Sequence, residues 1–170
     1  RDRALSAARY YTSPYMLKYY PQEERDPQRY LERHFEALMR EWVWHVYDHV
    51  RLREEYGLHI LFYERLLGDF REEVSGLLDY LGLALDSGEL EALERAVSFA
   101  TLKKETPGHL RKGKAGSWRE ELTQAQKATA AAIAGPLMEY LGYGGDGKAP
   151  GLPGTVVDGV LEGIRKRLGG

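Results

Sequence analysis

The chain has 170 residues, with 24 lysines and arginines against 26 aspartates and glutamates and a formal net charge of −2. That length suffices for one domain with a buried core, and so even a balance supplies no global field to draw the protein to nucleic acid or an anionic membrane. It has no cysteines, which excludes disulfides, thiolate chemistry and cysteine-ligated zinc and fits a reducing, cytoplasmic compartment. No apolar run is long enough to cross a bilayer and no signal peptide is visible. The first residue is Arg1, inside a helix-like pattern, so the chain reads as a piece of a longer polypeptide.

In chain order, residues 1–11 form a short helix with Ala4, Leu5, Ala7, Ala8 and Tyr11 apolar. Residues 12–26 are a loop with Pro14, Pro21 and several tyrosines. Asp26-Pro27 starts a helix, an N-cap followed by proline at the first helical position. It runs to about Tyr56, stops at Gly57, and carries Leu31, Phe35, Leu38, Trp42, Val46 and Val50 on one face. Leu58-His59-Ile60-Leu61-Phe62-Tyr63 reads as a buried, central, parallel strand. Asp69 caps a helix that buries Val74, Leu77, Leu78 and Leu81 and closes at Gly82. Asp86 or Ser87 starts the next, through Leu90, Leu93 and Val97, and Ser98 caps a further turn with Phe99 and Leu102.

Residues 103–117 are a basic loop. Thr123 caps an Ala-rich helix with Ile133, Leu137 and Leu141 on one face, residues 144–154 are a Gly/Pro linker, and a last amphipathic helix lies within 155–170. The tail either docks a partner protein or folds back onto the core. A lone strand cannot satisfy its own backbone, so its neighbours are expected upstream of Arg1.

The most informative stretch is Arg111-Lys112-Gly113-Lys114-Ala115-Gly116-Ser117-Trp118. Three cations surround two glycines, which let backbone approach a ligand closely. Successive N–H groups in such a loop form a concavity for an anion, and the cations add charge-assisted bonds suited to phosphate. Trp118 either pins the loop to the core or lies beside an aromatic base. The bland alternative is a solvated turn.

The ordered landmarks are a Ser6-bearing helix, Trp42-Val43-Trp44-His45-Val46, Phe62-Tyr63-Glu64-Arg65-Leu66, Tyr80-Leu81-Gly82-Leu83, Ser98-Phe99 with Leu102, the Arg111 loop and Leu141-Gly142-Tyr143. In that order they resemble the C-terminal half of the PAPS-dependent sulfotransferases, over about residues 1–143. PAPS is 3′-phosphoadenosine-5′-phosphosulfate. The resemblance implies an α/β, P-loop-NTPase-like sulfotransferase fold, of which this chain supplies the mostly helical C-terminal half with one central strand.

By the same resemblance, Arg1-Asp2 ends a cofactor-binding segment and Ser6 meets the cofactor's 3′-phosphate. Arg111, Lys112 and Gly113 form the second 3′-phosphate element. Tyr63 meets the adenine, and Phe99 and Leu102 sandwich it. Each position also has a plain structural reading: Ser6 as a small helix residue, Tyr63 as a strand aromatic, Phe99, Leu102 and Trp42 as core, His45 as a packed histidine.

The family's 5′-phosphate loop and histidine base have no counterpart in the chain, so no catalytic residue is assigned, and no metal ligand either. Ser117 stands where the family has aspartate, Arg119 where it has lysine, and Gln124 and Ala128 depart from its dimerisation motif. Two readings follow: part of a sulfotransferase acting on an acceptor hydroxyl or amine, or an inactive sulfotransferase-like interaction module. The acceptor is open among steroid, phenol, lipid, sugar and peptide. Nucleic acid is not expected as a partner, because the basic residues cluster in one loop.

Overall fold

Asp26 begins the longest helix as an N-cap should, its carboxylate accepting the Arg29 N–H at 2.9 Å with Pro27 at the first helical position. The computed structural model describes residues 1–21, 23–105, 115–144 and 149–167, with the side chains of Phe99 and Glu105 outside that description. Helix α1 spans Asp2–Tyr11, α2 Pro27–Leu52, α3 Tyr63–Gly68, α4 Phe70–Leu81 and α5 Ser87–Ala96. Then come α6 (Phe99–Glu105), α7 (Trp118–Glu121), α8 (Gln124–Tyr140) and α9 (Asp158–Arg167).

Helix α2 is the spine of the core. Leu31, Phe35, Leu38, Met39, Val43, Tyr47 and Val50 recur every three or four residues along it, and all are buried. The expected Trp42 and Val46 are only half-buried at its margin. The helix ends at Leu52, four residues before the expected stop, and a turn leads to Gly57 at φ 58°.

Helices α1 and α8 both pack on α2. Helix α1 contributes Ala4, Leu5 and Ala8, and α8 contributes Ala130, Ala134 and Leu137, which are fully buried. Alanine at successive turns lets two helix backbones approach closely. Thr123 and Gln126 start α8 with reciprocal bonds, Thr123 Oγ1 accepting the Gln126 N–H at 3.2 Å and Gln126 Oε1 accepting the Thr123 N–H at 3.0 Å. The tail folds back: α9 lies on α2 and α8 and buries Leu161 and Ile164. Burying such a side chain stabilises by about 1.5–3 kcal/mol.

Helices α3 to α6 form a thinner second layer in which, among the described residues, each helix contacts only its chain neighbours. Their ends follow local rules. Asp69 accepts the Glu72 N–H at 3.3 Å, Asp86 accepts those of Gly88 and Glu89 at 2.8 and 2.9 Å, and Gly82 closes α4 at φ 65°. Leu81 and Val97, expected in the core, are 53% and 40% exposed. Among the described residues, no helix outside α3 to α6 packs against α4 or α5.

The central strand is not present. Among the described residues no segment is a strand, so the α/β, P-loop-like architecture is replaced by an all-helical one. Leu58–Phe62 forms no regular element, with extended backbone given at Phe62, and Tyr63 begins α3 instead of ending a strand. The run lacks the ladder that makes a strand, and its polar groups find other partners. The Leu58 N–H donates to the Arg53 carbonyl at 2.8 Å, and the Phe62 N–H to Glu73 Oε1 at 3.0 Å. Of its apolar side chains only Phe62 is buried, while Leu58 and Leu61 are each 37% exposed.

Candidate nucleotide site

The N-terminal end of α1 meets the segment that follows the basic loop. Asp2 accepts the Gly116 N–H on Oδ2 at 2.6 Å and the Trp118 N–H on Oδ1 at 3.0 Å. Two N–H groups at the end of the Arg111–Trp118 stretch, those of Gly116 and Trp118, thus converge on one internal carboxylate, while residues 111–114 lie outside the described residues. Gly116 stands at φ 90°, a conformation that favours glycine, and a Cβ there would displace the flexible Arg119 guanidinium.

Trp118 is held by cations. The Arg1 guanidinium lies 4.2 Å and that of Arg119 4.9 Å from its ring. Burial first, and the charge of Arg119 second, lower the proton affinity of the Arg1 guanidinium. Arg1 Nε and the hydroxyl of Ser117 are buried without a partner among the described residues. Further along, Arg9 pairs with Glu121 at 3.1 Å, and Lys127 donates to the Arg119 carbonyl at 2.6 Å. Residues 116–121 are thus fastened to α1 at both ends.

Ser6 lies on this same helix, with its side chain exposed. Arg111, Lys112 and Gly113 lie outside the described residues, a few positions before the fastened segment. Tyr63 is 52% exposed at the start of α3. Its neighbour Glu64 accepts the Tyr143 hydroxyl at 3.0 Å. Burial, then Glu64, pushes the Tyr143 phenol well above its ordinary pKa.

The adenine pair is not brought to α1. Helix α6 contacts α5 among the described residues. Leu102 is half-buried there, and the side chain of Phe99 lies outside the description. His45 is exposed on α2, its ring 4.5 Å from that of His49, whose Nδ1 donates to the His45 carbonyl at 2.7 Å.

Sequence reasoning missed Asp2 as the pin, since its partners are 114 and 116 positions away and no local pattern signals them. It also missed Glu73, which is only 8% exposed and takes both the Phe62 N–H and the Arg65 guanidinium. Glutamate in the first turn of a helix whose interior is apolar was the available signal.

A family model described as the sulfotransferase domain matches residues 1–142. Sulfotransferase 2A1 of Macaca fascicularis is 29% identical over 100 residues, covering 50% of this chain and 35% of that protein. The 3-beta-hydroxysteroid sulfotransferase of Cavia porcellus is 31% identical over 100 residues, with 50% and 35% covered. Cytosolic sulfotransferase 1 of Danio rerio is 30% identical over 100 residues, with 50% and 33% covered. No solved structure matches the chain significantly. The aligned region spans about a third of the length of these curated relatives. With the family match covering most of its length, the chain belongs to the sulfotransferase domain family.

Proposed function

We propose that this chain is the part of a PAPS-dependent sulfotransferase that holds the nucleotide end of the cofactor. The observation that carries the reading is the Asp2 pin. It fastens the segment just after Arg111-Lys112-Gly113 to the helix that bears Ser6. The pin holds Gly116, three positions after Gly113, against the helix that bears Ser6, which supports assigning both elements to one 3′-phosphate.

The donor set suits that group. A 3′-phosphate takes a hydroxyl, a guanidinium and backbone N–H donors converging from separate segments. Ser6, Arg111, Lys112 and Gly113 supply these types. Because Asp2 occupies the Gly116 and Trp118 N–H groups, the phosphate is assigned to the residues before them. Tyr63, Phe99 and Leu102 are assigned to the adenine on the sequence resemblance alone. When bound, the cofactor brings the sulfuryl group for transfer to an acceptor hydroxyl or amine. This chain's residues bind and orient the nucleotide, and none is given a catalytic role. A cytoplasmic setting is supported by the absence of cysteine and by the likeness to a cytosolic relative.

Calorimetric titration of adenosine 3′,5′-bisphosphate into the longest natural form of the polypeptide tests the reading. Binding is expected, weakened by about ten- to a hundredfold in Arg111→Ala through loss of a charge-assisted contact. Folded protein that does not bind overturns it and leaves the interaction-module reading.

A further inference from the structure

The family match stops at residue 142, yet the chain beyond it is closely tied to the domain. Gly151 donates its N–H to the Leu141 carbonyl at 3.0 Å. Arg53, just past the end of α2 and only 8% exposed, donates from Nη2 to the Pro153 carbonyl at 2.6 Å. Next to it, Glu54 accepts the Val156 N–H at 2.9 Å. The Val157 N–H then meets the Tyr140 hydroxyl at 3.2 Å, and Leu161 and Ile164 enter the core at 1% and 4% exposure.

Arg53 and Glu54 begin the connection from α2 to α3, and that connection ends on Tyr63. Its own anchors are the His59 ring stacked on Tyr80 of α4 at 5.2 Å, the Leu58 N–H on the Arg53 carbonyl and the Phe62 N–H on Glu73, while Leu58 and Leu61 stay exposed. Leu152 and Pro153 line an open surface depression together with Leu58, His59 and Ile60. At the far end Tyr143 holds Glu64. The connection is therefore clipped at its start by the tail and at its end by the residue just after α8, with room beside it into which it can move. The buried Arg53 guanidinium favours this arrangement, because without the Pro153 carbonyl its Nη2 loses that acceptor.

We propose that residues 149–167 are an intramolecular strap, latched by Arg53, that fixes the α2–α3 connection and so the position of Tyr63. Arg53 is a positioning residue, acting on nucleotide binding through the chain that carries Tyr63. Only this last consequence rests on the nucleotide reading above. The strap itself stands on the contacts between the tail and α2.

Amide hydrogen exchange on the longest natural form of the polypeptide tests it, in two variants. One deletes residues 149–170, and the other is Arg53→Met, which keeps the buried stem and removes the donors. Exchange at residues 54–63 is expected to rise about tenfold in both, while α2 residues 35–47 keep their protection. If the deletion fails to fold through loss of Leu161 and Ile164, Arg53→Met decides alone. Unchanged exchange at 54–63 in folded Arg53→Met overturns the strap. Titration of adenosine 3′,5′-bisphosphate into the same proteins is expected to show several-fold weaker binding in Arg53→Met. Faster exchange with unchanged affinity overturns the positioning of Tyr63. A parent protein that does not bind overturns the nucleotide reading and, with it, the Tyr63 consequence, while the exchange result still decides the strap.

Discussion

The Asp2 carboxylate accepts the Gly116 N–H at 2.6 Å across 114 positions of sequence. A second bond, to the Trp118 N–H, uses the other carboxylate oxygen. One short side chain thereby joins the first helix, which bears Ser6, to the segment that follows the proposed phosphate residues Arg111, Lys112 and Gly113.

Asp2→Ala leaves two N–H groups without their acceptor. The expected destabilisation is about 1–3 kcal/mol, the cost of stranding backbone donors, or roughly 2–12 °C in melting temperature for a domain of this size. Asp2→Asn, which retains one good acceptor, is expected to lose less. Thermal unfolding of the two variants beside the parent checks the order. Equal stability of Asp2→Ala and the parent would remove the pin from the account.

Gly116→Ala meets two separate costs. The φ of 90° disfavours any side chain, and the new Cβ strikes Arg119. The backbone part is expected to cost about 1–2 kcal/mol. The Arg119 side chain is flexible, so its part is relieved by movement. In a double-mutant cycle, Arg119→Ala is therefore expected to recover only a minor share of the loss. Full recovery in urea unfolding would show that the clash, and not φ, makes glycine necessary.

Tyr143 gives the fold an alkaline limit. Burial and the neighbouring Glu64 raise its phenol pKa in the folded state. Folded protein thus holds this proton more tightly than unfolded chain, whose tyrosines titrate near ~10. The contribution is complete below that pH and is lost as pH rises from there toward the raised folded value. Urea unfolding at pH 8 and pH 11 is expected to show a steeper alkaline loss in the parent than in Tyr143→Phe. At pH 8 the variant is expected to be about 0.5–1.5 kcal/mol less stable, from loss of the bond to Glu64. Parallel pH dependence in the two proteins would contradict the assignment.

Much of the helical layer was legible locally. Asp26, Asp69, Asp86 and Thr123 cap helices as their residue types predict, and Gly82 takes the left-handed end of α4. The run Leu58–Tyr63 was misread for a physical reason. Six residues, five of them apolar, satisfy strand and irregular-coil patterns alike, and only a neighbouring ladder distinguishes them. The face of α2 was half legible. Leu31, Phe35, Leu38 and Val50 are buried as expected, but Met39, Val43 and Tyr47 take the centre that Trp42 and Val46 were given. Periodicity reveals that a helix has an inner face, while the helices packed on it decide where that face is centred.

By itself the amino-acid sequence determined where most helices begin, which stretches are apolar, and the order of landmarks that identifies the family. Those properties depend on neighbours within about one helical turn, where capping and side-chain contacts operate. Tertiary structure alone decided that Asp2 closes on Gly116 and Trp118, that Arg53 holds Pro153, and that the tail lies on α2 and α8. Such pairs bridge about a hundred positions or more. Their partners are chosen by the path of the packed chain, and no local pattern records that path.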